Sequence, residues 1–209
     1  MSAGGVFVTF EGIEGSGKTT QLRRLSVRLS ELGAPHITTR EPGGGPLADQ
    51  IRSLLLTPRE ETVFPETELL LYEAARAQHV REVLLPALKS GKTVLCDRFF
   101  DATFAYQAYA RGLGLENVRM IDRFASGGLV PDLTLLFDLP PEVGISRAAR
   151  RGPADRIEKE SSDFHRAVRN GYLALHKESP DRIVLIDACA PEEEVFCRVM
   201  ETVRIRFGW

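Results

Sequence analysis

The sequence has few of the residues that would cross-link a chain covalently or through a metal. It holds three cysteines in 209 residues, Cys96, Cys189 and Cys197, and no Cys-x-x-Cys pair. An odd number of scattered cysteines argues against a disulfide framework and a zinc site, and it indicates a reducing compartment. A chain of this length buries roughly 70% of its unfolded surface, so it needs no such cross-link. We therefore expect the three thiols to be buried as small hydrophobic side chains.

The sequence also lacks a long apolar run and an excess of charge. No apolar stretch reaches the about 18 residues that a membrane span requires, and we expect no signal peptide. The 27 lysines and arginines nearly balance 29 acidic residues, which gives a formal net charge of -2. Nothing general therefore attracts the chain to nucleic acid or anionic lipid. We expect a cytoplasmic protein that binds neither nucleic acid nor membranes.

Short apolar runs alternate with amphipathic stretches, and no repeat or low-complexity segment interrupts them. The predicted strands are residues 6–10, 36–39, 93–96, 133–138 and 183–186. Helical patterns follow at residues 22–32, 47–56, 66–89, 102–110, 116–125, 141–150, 162–177 and 192–206. Pro86 should kink or divide the long helix that contains it. This alternation predicts a single α/β domain over residues 1–209, with a parallel sheet covered on both faces and functional loops beyond the carboxyl ends of the strands.

A glycine-rich loop connects the first predicted strand to the first helix. It matches G-x-x-x-x-G-K-[ST] in full, and the strand–loop–helix context is the one this motif requires. Its glycines let consecutive backbone N–H groups turn inward around an anion, and the positive end of the helix adds to that field. Lys18 would reach the β- and γ-phosphates of a nucleotide, and the Thr19 hydroxyl would ligate Mg²⁺. The predicted phosphate-binding residues are Gly12, Ile13, Glu14, Gly15, Ser16, Gly17, Lys18 and Thr19.

Charged residues follow two other predicted strands. Arg40 ends the second strand and is well placed for an anionic substrate. Asp97 and Arg98 follow the third strand. A carboxylate there can hold Mg²⁺, directly or through water, and an arginine beside it can grip a phosphate with two hydrogen bonds. The sequence therefore predicts a second phosphate-binding region next to the phosphate loop.

Two helical patterns carry groups suited to a nucleobase. Tyr72 and Arg76 are four residues apart and hence adjacent on a helix face. A ring that stacks on a base and an arginine that bonds its edge would form a base site. On a later helix, Thr103, Tyr106 and Gln107 add hydrogen-bonding groups and a ring at one-turn spacing.

Several longer stretches occur in a specific order along essentially the whole chain: FEGIEGSGKTTQ, TREPGG, ELLLYEAARAQ, DRF followed by AYQ, PDLTLLFDLPPEVG and RRGPADRIE. With them the sequence resembles the bacterial thymidylate kinase family. The resemblance implies transfer of the γ-phosphoryl group of ATP to dTMP with Mg²⁺, giving dTDP and ADP. It also implies a P-loop nucleoside monophosphate kinase-like, three-layer α/β/α fold with a five-stranded parallel sheet, a lid near residues 147–160, and a homodimer.

The resemblance further implies roles for the acceptor-side residues. Tyr72 matches an aromatic residue that stacks on thymine, and Arg76 one that bonds the O4 edge of the base. Thr103 and Gln107 match base-contacting positions, and Tyr106 matches a ring beside the deoxyribose.

Catalytic roles are implied in the same way. Glu14 matches an acidic residue near the acceptor sugar's 3′-hydroxyl, and Arg40 and Arg98 match positions near the acceptor phosphate. In one class of the family, the lid supplies an arginine that the phosphate loop lacks. This sequence resembles that class, because Ser16 is uncharged and basic residues cluster in or near the lid. That cluster comprises Arg147, Arg150, Arg151 and Arg156. We expect the catalytic residues to be Lys18, Arg98, Glu14, Arg151 and Arg156. The lysine and the arginines would stabilise the negative charge that spreads over the phosphoryl group during transfer.

Two other functions compete with this interpretation. One is a kinase of the same architecture for another acceptor, such as UMP or a deoxynucleoside; a nucleoside acceptor carries no phosphate and would not need Arg40 and Arg98. The other is a P-loop switch or motor ATPase. The base-reading N-K-x-D motif of a GTPase switch is missing from the sequence, and a motor would hydrolyse ATP without an acceptor.

Overall fold

The computed structural model describes residues 4–150, 152 and 154–209, and its helices surround a five-stranded parallel sheet. The strands are β1 (Phe7–Glu11), β2 (His36–Arg40), β3 (Thr93–Asp97), β4 (Leu133–Asp138) and β5 (Ile183–Asp187), and they lie in the order β2-β3-β1-β4-β5. All five predicted strands are confirmed, and no predicted end is more than one residue from the observed one. Crossover connections between parallel strands require the intervening helices that the periodicity predicted.

The helices are α1 (Lys18–Glu31), α2 (Pro46–Leu56), α3 (Pro65–His79), α4 (Leu85–Lys89), α5 (Phe100–Thr103), α6 (Leu115–Ser126), α7 (Pro141–Ala148), α8 (Ser162–Glu178) and α9 (Glu192–Phe207). The predicted division near Pro86 is confirmed: a π-helical segment, Val80–Leu84, separates α3 from α4. A second π-helical segment, Phe104–Ala110, continues α5. Wide turns of this kind are uncommon and often occur at functional sites.

Burial explains why the central strands are almost continuously apolar. Every residue of β1 is buried, and so are most of β3 and β4. Helix α1 packs on β1 and β3 and against α9, while α8 packs on β4 and β5. Leucines at helical spacing in the predicted helix 22–32 indicate an apolar face, and Leu22, Leu25 and Leu29 are buried as expected, but the last one, Leu32, is not. Leu32 is 47% exposed because the helix ends at Glu31 and Gly33 turns away with φ +67°.

The prediction for the cysteines is wrong for two of the three. Cys96 lies inside β3 and is fully buried. Cys189 and Cys197 are exposed, because the first lies in the loop after β5 and the second on the outer face of α9. On α9 the buried residues Val195, Val199 and Val203 recur every four positions, and Cys197 lies off that period on the opposite side of the helix.

The loops with the predicted site residues leave the carboxyl ends of β1, β2 and β3, which are neighbours in the sheet. Since parallel strands end at one edge, residues distant in sequence meet there. Within the described residues, no helix is both long enough and apolar enough to cross a membrane.

Candidate active site

The phosphate loop needs glycine at two positions because neighbouring backbone lies very close. A Cβ atom at Gly12 would lie 2.4 Å from the carbonyl oxygen of Phe137, and one at Gly15 would lie 2.1 Å from that of Gly144. Both glycines also have positive φ, +136° and +71°. The loop therefore packs against the end of β4 and against α7, and its backbone curves before α1.

Lys18 is folded over the phosphate loop. Its Nζ donates to the carbonyl oxygens of Gly12 at 2.9 Å and Ile13 at 2.7 Å, and to Oγ of Ser16 at 3.2 Å. Burial lowers the pKa of Lys18 to about 8, and the charge of Arg98 acts in the same direction. The ammonium is thus still mostly protonated at neutral pH, and it lies where the motif directs a phosphate.

The two predicted metal ligands meet. The Thr19 hydroxyl donates to Oδ2 of Asp97 at 2.5 Å, although 78 residues separate them. Within the described residues, no group of three or more His, Cys, Asp or Glu side chains could hold a metal ion by itself. A hydroxyl and one carboxylate nevertheless fit Mg²⁺, which takes few protein oxygens and completes its shell with phosphate and water.

Glu14 and Arg98 form an ion pair beside the phosphate loop. Nη2 of Arg98 donates to Oε1 of Glu14 at 2.6 Å, and the Tyr106 hydroxyl donates to Oε2 of the same carboxylate at 2.8 Å. Burial opposes the ionised form of Glu14, but the charges of Arg98 and Lys18 and the Tyr106 hydrogen bond hold its pKa below the ordinary value. The carboxylate is therefore charged at neutral pH and fixes one side of the Arg98 guanidinium.

A cavity of about 360 Å³ extends from the phosphate loop and is lined by several arginines. Arg40 and Arg52 line it together with Arg98. The pKa of Arg52 is lowered by burial, and the charges of Arg40 and Arg98 lower it further. Mutual repulsion of this kind marks a place suited to an anion. Our sequence reasoning missed Arg52, whose only signal is its position in the helix that follows the turn 43–45.

All the residues predicted for a nucleobase line the same cavity, namely Tyr72, Arg76, Thr103, Tyr106 and Gln107. Gln107 is oriented by Glu68, whose Oε1 accepts from the amide nitrogen at 2.9 Å. The burial of Tyr72 raises the pKa of its hydroxyl, so the ring is neutral. Helix α3 and the segment after β3 therefore bring together groups that lie up to 35 positions apart in the sequence.

Arg76 is far more buried than a helix-face arginine would be, at 2% exposure. Its guanidinium donates to Glu41 at 2.8 Å, Glu73 at 2.5 Å and Asp122 at 3.1 Å, and to the Thr103 hydroxyl at 2.9 Å. Burial opposes the charge, but the three carboxylates keep the pKa of Arg76 above its ordinary value. Arg76 therefore lines the cavity and also holds together the buried side chains beneath it.

The segment after α7 closes one side of the cavity. Asp155, Ile157 and Glu158 line it, as does Arg147, whose Nη1 donates to the carbonyl oxygen of Ala188 at 2.9 Å. The sequence showed only that this stretch is highly charged, so Asp155 and Glu158 were missed. One predicted lid residue, Arg151, lies outside the described residues.

The placement of Arg156 differs from the prediction that it points to the transferring phosphoryl group. Its Nε donates to the carbonyl oxygen of Leu55 at 2.7 Å, and its Nη2 lies 2.6 Å from Oε2 of Glu68. Its backbone N–H also bonds to the carbonyl oxygen of Leu56. Because Glu68 is fully buried and pairs with Arg111 as well, Arg156 fastens the segment to α2 and α3 in this arrangement.

This sheet order, a phosphate loop after β1, and a cavity lined by arginines beside that loop define the class of P-loop nucleoside monophosphate kinase-like proteins. A family model described as thymidylate kinase matches residues 10–199. The chain therefore belongs to the thymidylate kinase family and is a kinase that uses nucleotide substrates, including a nucleotide phosphate donor.

Individual relatives agree over nearly their full lengths. A thymidylate kinase of Desulfosudis oleivorans is 54% identical over 202 residues, which cover 93% of this chain and 94% of that protein. A thymidylate kinase of Pseudomonas putida is 52% identical over 191 residues, 91% of each chain. The crystal structure of thymidylate kinase from Ehrlichia chaffeensis is similar with a TM-score of 0.77 and 31% identity, covering 96% of this chain and 99% of that one.

Proposed function

We propose that this chain transfers the γ-phosphoryl group of ATP to dTMP and releases dTDP and ADP. The observation that carries the proposal is one cavity that is lined by the phosphate loop, Lys18 and Arg98. The same cavity is also lined by the ring and hydrogen-bonding groups that could recognise a nucleobase. Family membership supports the same acceptor. We expect the enzyme to act in the cytoplasm, where both nucleotides occur.

The donor side is assigned to the loop of residues 12–19. Its backbone N–H groups and the amino end of α1 bind the phosphates of ATP, and Lys18 turns from the loop carbonyls to the β- and γ-phosphates. Thr19 and Asp97 would hold Mg²⁺, which when bound neutralises charge on those phosphates. Little covalent chemistry is required of the protein, because positioning and charge stabilisation dominate phosphoryl transfer.

The acceptor side is assigned to the arginines and the base-sized part of the cavity. The dTMP phosphate is bound by Arg40, Arg52 and Arg98, which align one of its oxygens for in-line attack. Glu14, fixed by Arg98, lies toward the sugar. The base is recognised by four side chains, with Tyr72 stacking and the others bonding its edges: Tyr72, Arg76, Thr103 and Gln107. Tyr106 packs beside the deoxyribose.

The segment near residues 147–160 acts as a lid in this proposal. Asp155 and Glu158 already lie on the cavity wall, and closure over both nucleotides would exclude the water that could otherwise hydrolyse ATP. Arg147, which lines the cavity, is a lid-side cation for the charge that develops on the moving phosphoryl group. Arg156 serves in docking the lid.

The test is a coupled assay of ADP release with dTMP, dUMP, UMP and thymidine as acceptors. We expect dTMP to give the highest kcat/KM and thymidine to give no turnover, because the arginines need a phosphate. One methyl group contributes about 1–3 kcal/mol in a pocket, so dUMP should retain some activity. A preference for UMP or thymidine would overturn the acceptor, and ATP hydrolysis that ignores every acceptor would overturn the kinase assignment.

We also propose that two copies of the chain pair through α6. Met120 and Phe124 are four residues apart on that helix and are 69% and 86% exposed, and Leu70 on the adjoining helix α3 is 58% exposed. Helices α3 and α6 pack together, and large apolar side chains exposed on two neighbouring helices are typical of an interaction site. Light scattering should give the mass of a dimer for the unaltered chain and of a monomer for Phe124→Glu; a monomeric unaltered chain would exclude the pairing.

A further inference from the structure

Glu11 is a fully buried carboxylate that the mechanism above does not use. It is the last residue of β1, directly before the phosphate loop, and its exposure is 0%. Burial raises its pKa to about 7; nearby Asp101 acts in the same direction, and Arg98 and the hydrogen bonds of the carboxylate oppose it. Burying an acidic group is unfavourable unless hydrogen bonds compensate for the lost water. The hydrogen-bond partners of Glu11 connect it to Arg98, which we assign to the acceptor phosphate.

The two carboxylate oxygens of Glu11 have different partners. Oε1 accepts from the backbone N–H of Phe99 at 2.7 Å, and Oε2 accepts from the hydroxyl of Tyr172 at 2.7 Å. Tyr172 lies on α8 and is 2% exposed. Its hydroxyl oxygen in turn accepts from Nη1 of Arg98 at 3.1 Å. Glu11 is thus connected to Arg98 by two routes, one through the next peptide and one through a tyrosine hydroxyl.

Arg98 has a backbone that requires such fixing. Among the described residues, it is the single non-glycine residue with positive φ, at +71°. Side chains disfavour this region, and residues persist there where several surrounding contacts determine the conformation. The Phe99 amide bound to Glu11 belongs to the peptide that leaves Arg98. On the other side of the residue, its own N–H bonds to the carbonyl oxygen of Phe10 at 3.0 Å.

The guanidinium is fixed at two of its five N–H groups. Nη1 donates to Tyr172 and Nη2 donates to Glu14. An arginine has five N–H donors in a rigid plane, so fixing two of them orients the other three. Arg98 lines the cavity. The same contacts that fix the plane therefore decide which way the donors that bind a phosphate point.

We propose that Glu11 is a positioning residue for the acceptor phosphate, which acts on Arg98 through the Tyr172 hydroxyl and the Phe99 amide. The inference rests on the proposed function in that it takes Arg98 as the group that binds the dTMP phosphate. If Glu11 had only a structural role, its substitution would lower folding stability and would weaken the binding of both substrates to a similar extent. A positioning Glu11 affects the acceptor far more than the donor, because the phosphate loop has its own supports.

The experiment compares Tyr172→Phe, Glu11→Gln and the double variant with the unaltered enzyme. Tyr172→Phe keeps the ring and removes the hydroxyl; Glu11→Gln keeps an acceptor for Phe99 but turns an amide toward Tyr172. We expect each single variant to raise KM for dTMP about tenfold, the effect of one hydrogen bond to a charged group. KM for ATP should stay within about twofold. Calorimetric titration with dTMP should show the same loss of affinity without depending on turnover.

The double variant tests the route. If Glu11 acts on Arg98 through Tyr172, the double variant should be little worse than either single one, since coupled residues are not additive. Tyr109→Phe is the matched control: it removes the hydroxyl of a 39% exposed tyrosine in the π-helical segment 104–110, which packs against Gly171 of α8 and takes no part in the hydrogen bonds between Glu11, Tyr172 and Arg98. This control should leave both KM values unchanged.

Three results would overturn the inference. They are unchanged dTMP affinity in folded Tyr172→Phe and Glu11→Gln, equal losses for dTMP and ATP, and a double variant whose loss is the product of the single ones. Should Glu11→Gln fail to fold, Tyr172→Phe and its dTMP titration still decide. An unaltered enzyme that neither binds nor phosphorylates dTMP would instead refute the proposed function, which separates the two failures.

Discussion

The two parts of the cavity that we assign to the phosphate donor and to the acceptor, called here the donor half and the acceptor half, are built in different ways. The donor half is a continuous loop of eight residues whose own backbone forms the binding surface, with Lys18 bonded to carbonyl oxygens five and six positions earlier. The acceptor half is assembled from β2, α2, α3 and the segment after β3, and side-chain ion pairs hold it together. Arg76 alone joins carboxylates 35 and 46 positions away. A local motif thus forms the proposed site for the donor phosphates, whereas the proposed acceptor site is assembled from several elements that are distant in the sequence.

The comparison predicts that damage to the donor half affects catalysis and leaves the fold intact. Lys18→Ala should lower kcat by about 10²–10³-fold, because it removes a cation that stabilises charge in the transition state. Its melting temperature should stay close to that of the unaltered protein. Coupled ADP release and thermal unfolding check both statements, and turnover near the normal rate would remove Lys18 from the mechanism.

Damage to the centre of the acceptor half should affect the fold itself. Arg76→Met leaves Glu41, Glu73 and Asp122 buried without their shared cation, so we expect a loss of about 3–5 kcal/mol in the free energy of unfolding. Urea unfolding measures it. Arg119→Met is the control, since that arginine of α6 forms ion pairs with the exposed Glu116 and Glu178 and should change stability by less than about 1 kcal/mol. Equal losses in the two variants would contradict the distinction.

At the rim of the acceptor half, the effect should be confined to one substrate. Arg52→Met should raise KM for dTMP about tenfold and leave KM for ATP nearly unchanged, because Arg52 lines the cavity with Arg40 and Arg98, the arginines that we assign to the acceptor phosphate. Arg59→Met, which removes a guanidinium bound to Leu54 and Glu61, is the matched control. A rise in KM for ATP of the same size would place Arg52 on the wrong side of the reaction.

A further predicted effect concerns the pH dependence of stability and Glu73. Burial raises the pKa of Glu73 from 4.5 to about 7, with Asp122 and Glu41 adding to the shift and Arg76 opposing it, and its Oε2 has no hydrogen-bond partner among the described residues. Since the folded state binds this proton more tightly than the unfolded state, its contribution to stability is present below pH 4.5 and is lost as the pH rises to about 7.

Glu73→Gln removes that titration. Urea unfolding between pH 5 and 8 should show the unaltered protein losing about 1–3 kcal/mol more than the variant over this range. The comparison isolates Glu73, because Asp122, whose pKa is also raised by burial, titrates in both proteins. Parallel curves would mean that Glu73 is ionised without penalty in the folded chain.

The same contrast explains how much the sequence could predict. Short strands rich in apolar or β-branched residues and a glycine-rich loop are local patterns, so β1 through β5 and the loop of residues 12–19 were located to within a residue. The partners of Arg76 and Arg156 were not predictable, because they depend on which helices pack together. Arg52 looked like any arginine of an amphipathic helix. Glu11 directly follows the apolar strand predicted at residues 6–10, and its connection to Arg98 is visible only in the hydrogen bonds that Tyr172 makes with both residues.

The central claim is that the two halves hold two nucleotides with the phosphoryl group passing directly between them. The most direct measurement supplies ATP labelled in its γ-phosphoryl group, with and without dTMP, and separates the products. We predict that the label appears in dTDP and that ATP is nearly stable when dTMP is omitted. Label released as inorganic phosphate at the same rate in both samples would contradict the account.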